Sequence, residues 1–551
     1  MSVQRLRQAE APVGASRNVG ADALGALFKP LPFLLVEGGD PRLAIEAASG
    51  ANAYGCRPHP TPRTLAFSSS TATSISERAY RRAESAREEL IERSVELGVF
   101  EAFDRQVERM RNSLRMCLEL DRADIVFSPS GTDTQLHALF FARQLLGGPL
   151  TSIVVASDQT GSGTVFTSRG QNFTNRTAQG KSVAKGTPIA GLAEGVVSLG
   201  ISMFAPDGAI RSASEIDAAV IEAAAGQIRQ GRKIVLQTMD SSKLGWRAPS
   251  DGCLRYLGAR WPSDVQIVID ACQMRIGRPR IREYLNRGYI VLVTGSKFFT
   301  GPAFSGASLF PAELVDRIAG WTALPDGIAD YATRYDFPVC WSSIRADLSD
   351  APNFGQWLRW EAALEEMRAY YALPASFRRS ALGRLAEAVP AIIASSRHLE
   401  SMAGQGTSAD GLNDEEMSSQ TVFPFFIKHG GGRLDLDVMT KIYRALNRDL
   451  SAYLPDDATD AERRLASIPC HIGQPVKLPA ADGGKTVLRI GIGARLLSES
   501  WSADAPTAEA KLGAIIDCVG TVVRKIDLIV RTGMYDRLAR VAAAEQVARA
   551  A

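Results

Sequence analysis

Between residues 124 and 310 the chain alternates two textures, and that alternation limits the folds open to it. Short apolar, β-branched runs (DIVFS, SIVVAS, GVVSLGISMF, KIVLQT, VQIVID, YIVLVTG and GASLF) read as buried strands. Helical stretches such as TQLHALFFARQLLG and ASEIDAAVIEAAAGQIRQG fill several of the intervals. Parallel neighbours need a crossover, usually a helix, and strands covered on both faces lose the in–out polar alternation. The pattern predicts an α/β fold with a mostly parallel sheet and helices on both faces. Ligands in such sheets sit outside the carboxyl ends of the strands.

Flanking segments differ in texture. Residues 1–80 read as an extended arm rich in Gly, Pro, Ser and Thr, and 81–345 as the large α/β domain. Residues 346–551 read as a smaller α+β domain with an Ala-rich tail. The charged run from Ile75 to Leu120 has helical spacing and predicts two helices broken near Gly98. A formal charge of +3 over 551 residues, with no basic block, argues against nucleic acid as partner. Seven scattered cysteines without a C-x-x-C pair are no disulfide framework, and five separated histidines form no metal motif. No apolar signal core and no membrane-length apolar run stand out. The expectation is a soluble, reduced, cytoplasmic protein without a metal or membrane partner.

Four motifs fall at predicted strand ends. VFSPSGTDTQLHAL carries Ser130, Gly131 and Thr132 into a helix, where backbone N–H groups can hold a phosphate or simply be capped. IVIDACQMR closes a strand with Asp270, and Gln273 follows three residues later. VLVTGSKFFTGPAFSGASLF puts Lys297 directly after the next strand, 27 positions beyond Asp270. A buried lysine has a lowered pKa and becomes a usable nucleophile. TVLRIGIGAR places Arg489 inside an apolar strand, where it needs an anion or a structural ion pair. Each alone has an ordinary structural explanation. Together they specify pyridoxal 5'-phosphate: a lysine for its aldehyde, a carboxylate for its ring nitrogen, donors for its phosphate, an arginine for the substrate carboxylate.

On these motifs the chain resembles fold-type I pyridoxal-phosphate enzymes of the class V aminotransferase and cysteine desulfurase-like superfamily, over roughly residues 70 to 500. The resemblance implies that Lys297 is the Schiff-base lysine and that Asp270 pairs with the ring nitrogen. It further implies Gln273 on the phenolic oxygen, and Ser130, Gly131, Thr132, Thr294 and Ser296 around the phosphate. MDSSKLG is similar to the group's Asn-Asn-Glu-x-Gly turn, with Ser242 in the place of an asparagine. Arg489 would bind the substrate carboxylate. A homodimer with sites at its interface is also implied, so that Asn52, Tyr54 and Arg57 of the arm either line the substrate entrance or pack the arm.

Departures accompany the likeness. Ser296 replaces the usual histidine before the lysine, and one residue is inserted before Gly301-Pro302. Gln159 or Thr160 stands where the group stacks an aromatic or histidine on the ring, which counts against close desulfurase chemistry. Cys470 lies upstream of Arg489 as a persulfide cysteine does, but a small buried hydrophobe is the commoner role. A nucleotide P-loop at QGKS fails because Asn175 occupies its first glycine position. HGGG at 429–432 has no G-x-S-x-G partner. The implied activity is a pyridoxal-phosphate enzyme acting on an amino acid, first an aminotransferase by analogy with the group. The alternatives are a β-eliminating lyase or desulfurase, a bond-forming synthase, or a non-catalytic cofactor binder.

Overall fold

In a computed structural model, the structure describes residues 13–538 except 320, 322–324, 403–413 and 480–484. The Ala-rich tail lies outside the described residues. All seven predicted runs are strands of one sheet: β2 (Asp124–Ser128), β3 (Leu150–Val155), β4 (Val196–Ile201), β5 (Lys233–Met239), β6 (Val265–Asp270), β7 (Ile290–Thr294) and β8 (Gly306–Phe310), following the short β1 (Leu65–Phe67). The order is β2-β8-β7-β6-β5-β3-β4. Neighbours are parallel from β4 to β7, and β8 alone runs against them, antiparallel to both β7 and β2. The carboxyl ends of β2, β3, β5, β6 and β7 therefore lie along one edge. The expected α/β architecture is the one observed.

Hydrophobic clusters on both sides of the sheet explain the unbroken apolar runs. Ile153, Ile267, Val291 and Leu309 point into one, and Val126, Val235, Val268 and Leu292 into the other. The helix Gly131–Leu146 covers the second face with Leu136, Leu139 and Phe141. The predicted break at Gly98 is real: helices Glu77–Leu97 and Val99–Leu118 meet there, with Gly98 at φ +76°.

A second sheet is built from β1, β9 (Leu399–Ser401), β10 (Val422–His429), β11 (Gly432–Arg433), β12 (Cys470–Lys477) and β13 (Thr486–Gly491). Its membership corrects the reading of residues 1–80 as an extended arm. That segment carries a helix, Val13–Leu27, and gives β1 to the C-terminal sheet, pairing Leu65 with Cys470 in parallel. Local texture could not reveal a partner some four hundred positions away. The pairing carries residues 68–74 past the end of β13, where Ser68 bridges Gly491.

The Lys297 loop is clamped against the helix Phe354–Tyr371 and the segment that follows β13. Phe298 and Phe299 are buried, each edge-on to Tyr370 with centroids 5.3 and 5.7 Å away. Gly301 N–H closes the loop onto the Gly295 carbonyl at 3.0 Å, and Ala494 N–H holds the Phe298 carbonyl at 2.7 Å. An added Cβ at Gly301 would lie 2.6 Å from Ala363 Cβ, so Gly301→Ala forces this clamp apart. Overpacking of this kind costs about 1–3 kcal/mol, which should appear as a lower urea midpoint. Gly226→Ala, in a helix with its nearest neighbouring atom 3.8 Å away, should be neutral or stabilise by up to ~1 kcal/mol.

Candidate functional site

Lys297 follows β7 on the clamped loop, and its amine makes no hydrogen bond or ion pair among the described residues. It is part-buried. Burial lowers its pKa below the usual lysine value, opposed by Cys272 and Asp270 and reinforced by Arg275 and Arg489. Thr300, at φ +58°, turns the chain back and donates its N–H to the Lys297 carbonyl at 2.9 Å. A non-glycine residue in that region is strained, and such strain concentrates at functional sites.

Asp270 ends β6 beside it. One carboxylate oxygen accepts Gln135 Nε2–H at 3.1 Å and the other accepts Cys272 N–H at 3.0 Å. Both donors are neutral, and Asp270 has no ion-pair partner among the described residues. Gln135 was missed by sequence reasoning, because it lies mid-helix among residues read for packing. Its own carbonyl accepts the Thr167 hydroxyl at 3.0 Å, which fixes which end of the amide faces Asp270.

The helix start after β2 is capped from within. Ser130 Oγ accepts the N–H groups of Thr132 and Asp133 at 3.1 and 3.2 Å and donates to Asp133 at 2.5 Å. Of the two readings of this turn, capping describes these contacts. The Gly131 N–H and the Thr132 hydroxyl hydrogen remain as donors. Gly131 also lets the turn sit close: an added Cβ would be 3.0 Å from Cys272 Sγ. Burial pushes Asp133 up to about 7, against the pull of Ser130. Arg42 of the arm, paired with Asp40, reaches Thr132 Oγ1 at 3.5 Å and lies 4.8 Å over the Phe304 ring.

Other expected residues divide by where their donors go. Thr294 donates its hydroxyl hydrogen to the Cys272 carbonyl at 2.6 Å, a contact that competes with the expected phosphate role. Thr160 likewise donates to the Ser157 carbonyl at 2.9 Å. Ser296 Oγ, by contrast, makes no hydrogen bond among the described residues. Ser242 Oγ accepts from Leu244 and Trp246 N–H, both at 3.1 Å, and shapes its turn. Gln273 donates to the Ser70 carbonyl at 3.1 Å and accepts from Arg275 at 2.8 Å. Gln159 is buried with an unpartnered Oε1. Asn52 closes its own turn, accepting from Tyr54 and Cys56 N–H at 2.9 and 3.1 Å. Tyr54 accepts from Arg42 at 3.2 Å and lies edge-on to Phe304, while Arg57 is exposed. These contacts follow the packing reading of the arm.

Arg489 and Arg275 are buried and, among the described residues, held by neutral oxygens. Arg489 donates to the Gln474 and Lys243 carbonyls and to Thr71 Oγ1 at 2.9–3.3 Å. Arg275 donates to Gln273, Ser69 Oγ, Thr421 Oγ1 and the Ile492 carbonyl at 2.8–3.2 Å. Burial lowers Arg489 to about 10, and burial with Arg489's charge lowers Arg275 to about 9. Lys243 is lowered to about 8 by burial, then by Arg489 and Lys297, with Asp158 opposing. Four basic side chains thus share one desolvated region, and the carboxylates acting on its two lysines are Asp270 and Asp158. The region is built to receive negative charge.

Cys470 opens β12, buried, with burial pushing its thiol up to about 11. Native alkylation at pH 8 should therefore modify exposed Cys340 well before Cys470 or Cys272, read by peptide mass spectrometry.

No protein-family model matches the chain, and no curated protein matches it. Among solved structures it is similar to a phosphoserine aminotransferase from Cytophaga hutchinsonii, at 12% identity and TM-score 0.47, over 83% of this chain and 99% of that one. The cysteine desulfurase CsdA of Escherichia coli is similar at 14% identity and TM-score 0.44, over 84% and 95%. Oryza sativa TDC, solved with PLP and tryptamine, is similar at 13% identity and TM-score 0.47, over 94% and 99%.

Proposed function

We propose that this chain is a pyridoxal 5'-phosphate-dependent enzyme acting on an amino acid, with transamination as its reaction. One observation carries the reading: a part-buried amine, Lys297, lies within Coulombic reach of a strand-end carboxylate, Asp270, and among the described residues neither has an ion-pair partner. The residues present fit the cofactor. Lys297 is free for the aldehyde and Asp270 for a protonated ring nitrogen. Gly131 N–H, the Thr132 hydroxyl and Ser296 are the donors left for a phosphate, in a region whose surplus charge is positive.

When bound, the cofactor supplies an electron-withdrawing ring that stabilises negative charge on the substrate carbon being deprotonated. Everything else is the work of this chain. Asp270 would hold a proton at the ring nitrogen, and Gln135 and the Cys272 N–H hold that carboxylate in one orientation. Lys297 would react as a neutral amine, a form that desolvation favours. The same Nζ is the base that would take the proton from the substrate Cα and return one. Phe298 and Phe299 anchor the loop so that the amine does not drift between these tasks. Desulfuration is the weaker reading, because the thiol of Cys470 is buried and held protonated.

Borohydride treatment followed by peptide mapping should put a pyridoxyl adduct on Lys297, and Lys297→Ala should abolish it. That variant should also lose at least about a hundredfold in turnover. Incubation with single amino acids should yield the matching keto acid. Release of pyruvate with ammonia or sulfide would replace transamination by elimination. Sedimentation should give a homodimer, the assembly that accompanies this reading.

A further inference from the structure

The proposed reaction needs a cation for the substrate's carboxylate, and the resemblance assigns that task to Arg489. The geometry disagrees. Arg489 has 0% exposed surface. Four of its hydrogen bonds are already made, two to the Gln474 carbonyl and one each to Thr71 Oγ1 and the Lys243 carbonyl. One Nη1 hydrogen is left, and a carboxylate could gain a fork only by displacing Gln474 from the Nε edge or Thr71 from Nη2.

Lys243 offers what Arg489 withholds. It is part-buried and keeps accessible surface, and its three donors make no hydrogen bond or ion pair among the described residues. Its backbone is fixed. Arg489 Nη1 holds its carbonyl at 3.1 Å, and Ser242 closes the turn around it through Leu244, Trp246 and Gly245. Asp240 N–H ties the same segment to the Asp270 carbonyl at 3.1 Å, so the turn is registered against the strand end that carries the ring-nitrogen partner. Lys243 also lies within Coulombic reach of Lys297 and Arg489, two like charges that a bound anion would offset. A flexible ammonium on a rigid turn suits a carboxylate that must arrive and leave.

We propose that Lys243 takes the substrate's carboxylate directly, with Arg489 as the positioning residue that holds Lys243 from behind. This rests on the cofactor reading above and goes beyond it by reassigning the carboxylate. The shared chemistry is anion binding, so the cofactor phosphate is the rival occupant.

The test uses reconstituted holoprotein and two traps for the bound aldehyde, aminooxyacetate and O-methylhydroxylamine. In either case the aminooxy nitrogen replaces Nζ of Lys297 on the aldehyde carbon and the lysine leaves as a free amine, with no redox change. Only aminooxyacetate carries a carboxylate, so the ratio of the two rates reads the carboxylate seat without knowledge of the substrate. Lys243→Gln and Lys243→Met should each lower that ratio roughly 10- to 100-fold, the worth of a charge-assisted hydrogen bond. Lys243→Arg should restore most of it. Arg489→Gln should lower the ratio as well, with partial rescue by Arg489→Lys. Cofactor retention on dialysis should stay unchanged in the Lys243 variants.

An unchanged ratio in both Lys243 variants overturns the assignment. So does an unchanged ratio with faster cofactor loss, which gives Lys243 to the phosphate. A borohydride adduct on Lys243 instead of Lys297 overturns both this inference and the proposed function, whereas an adduct on Lys297 with an unchanged ratio overturns this inference alone.

Discussion

Basic groups gathered in a desolvated place, more of them than the carboxylates that act on them, are the constraint from which the rest follows. Lys243, Lys297, Arg275 and Arg489 act on one another through low-dielectric surroundings, and among the described residues Arg275 and Arg489 are held by neutral oxygens. Burying charge in this way is costly, and a chain gains nothing from it unless an anion completes the arrangement. The lowered pKa values express that cost. For Lys297 the direction of the shift favours the neutral amine, which the proposed covalent chemistry requires.

Holding such a cluster demands a rigid frame, and both sheets contribute. The parallel strands deliver Ser130, Asp270 and Lys297 to one edge because their carboxyl ends point the same way. The second sheet delivers Arg489 from β13. Its β1 strand pulls the segment 68–74 into the gap, where Ser69 meets Arg275, Ser70 meets Gln273 and Thr71 meets Arg489. The early segment thus holds three of the site's polar side chains, and loosening β1 should disturb them together.

Much of this was legible from residue patterns. The seven strand runs are β-branched, short and apolar on both faces, and nothing else in the chain competes with that texture. Asp270 and Lys297 stood out because a carboxylate and an amine ended otherwise apolar runs. The helix break at Gly98 was visible because the apolar spacing stops and restarts there. What was not legible involves distance and context. Arg275 looks like an ordinary residue two positions after Gln273, and Lys243 sits in a turn whose interest seemed to lie in Ser242. Thr294 looked like a phosphate ligand, and nothing in its motif hinted that its hydroxyl also reaches the Cys272 carbonyl. Leu65 gave no sign of pairing with Cys470, since strand partners far apart leave no local trace.

The central claim is that the lone amine of Lys297 exists to bond an aldehyde under the hold of Asp270. Titrating cofactor-free protein with pyridoxal 5'-phosphate while recording the visible spectrum tests it most directly. The account predicts a saturable yellow band at one equivalent per chain, absent in Lys297→Ala and weakened in Asp270→Asn. A wild-type protein that develops no such band, or a Lys297→Ala protein that develops it fully, would contradict it.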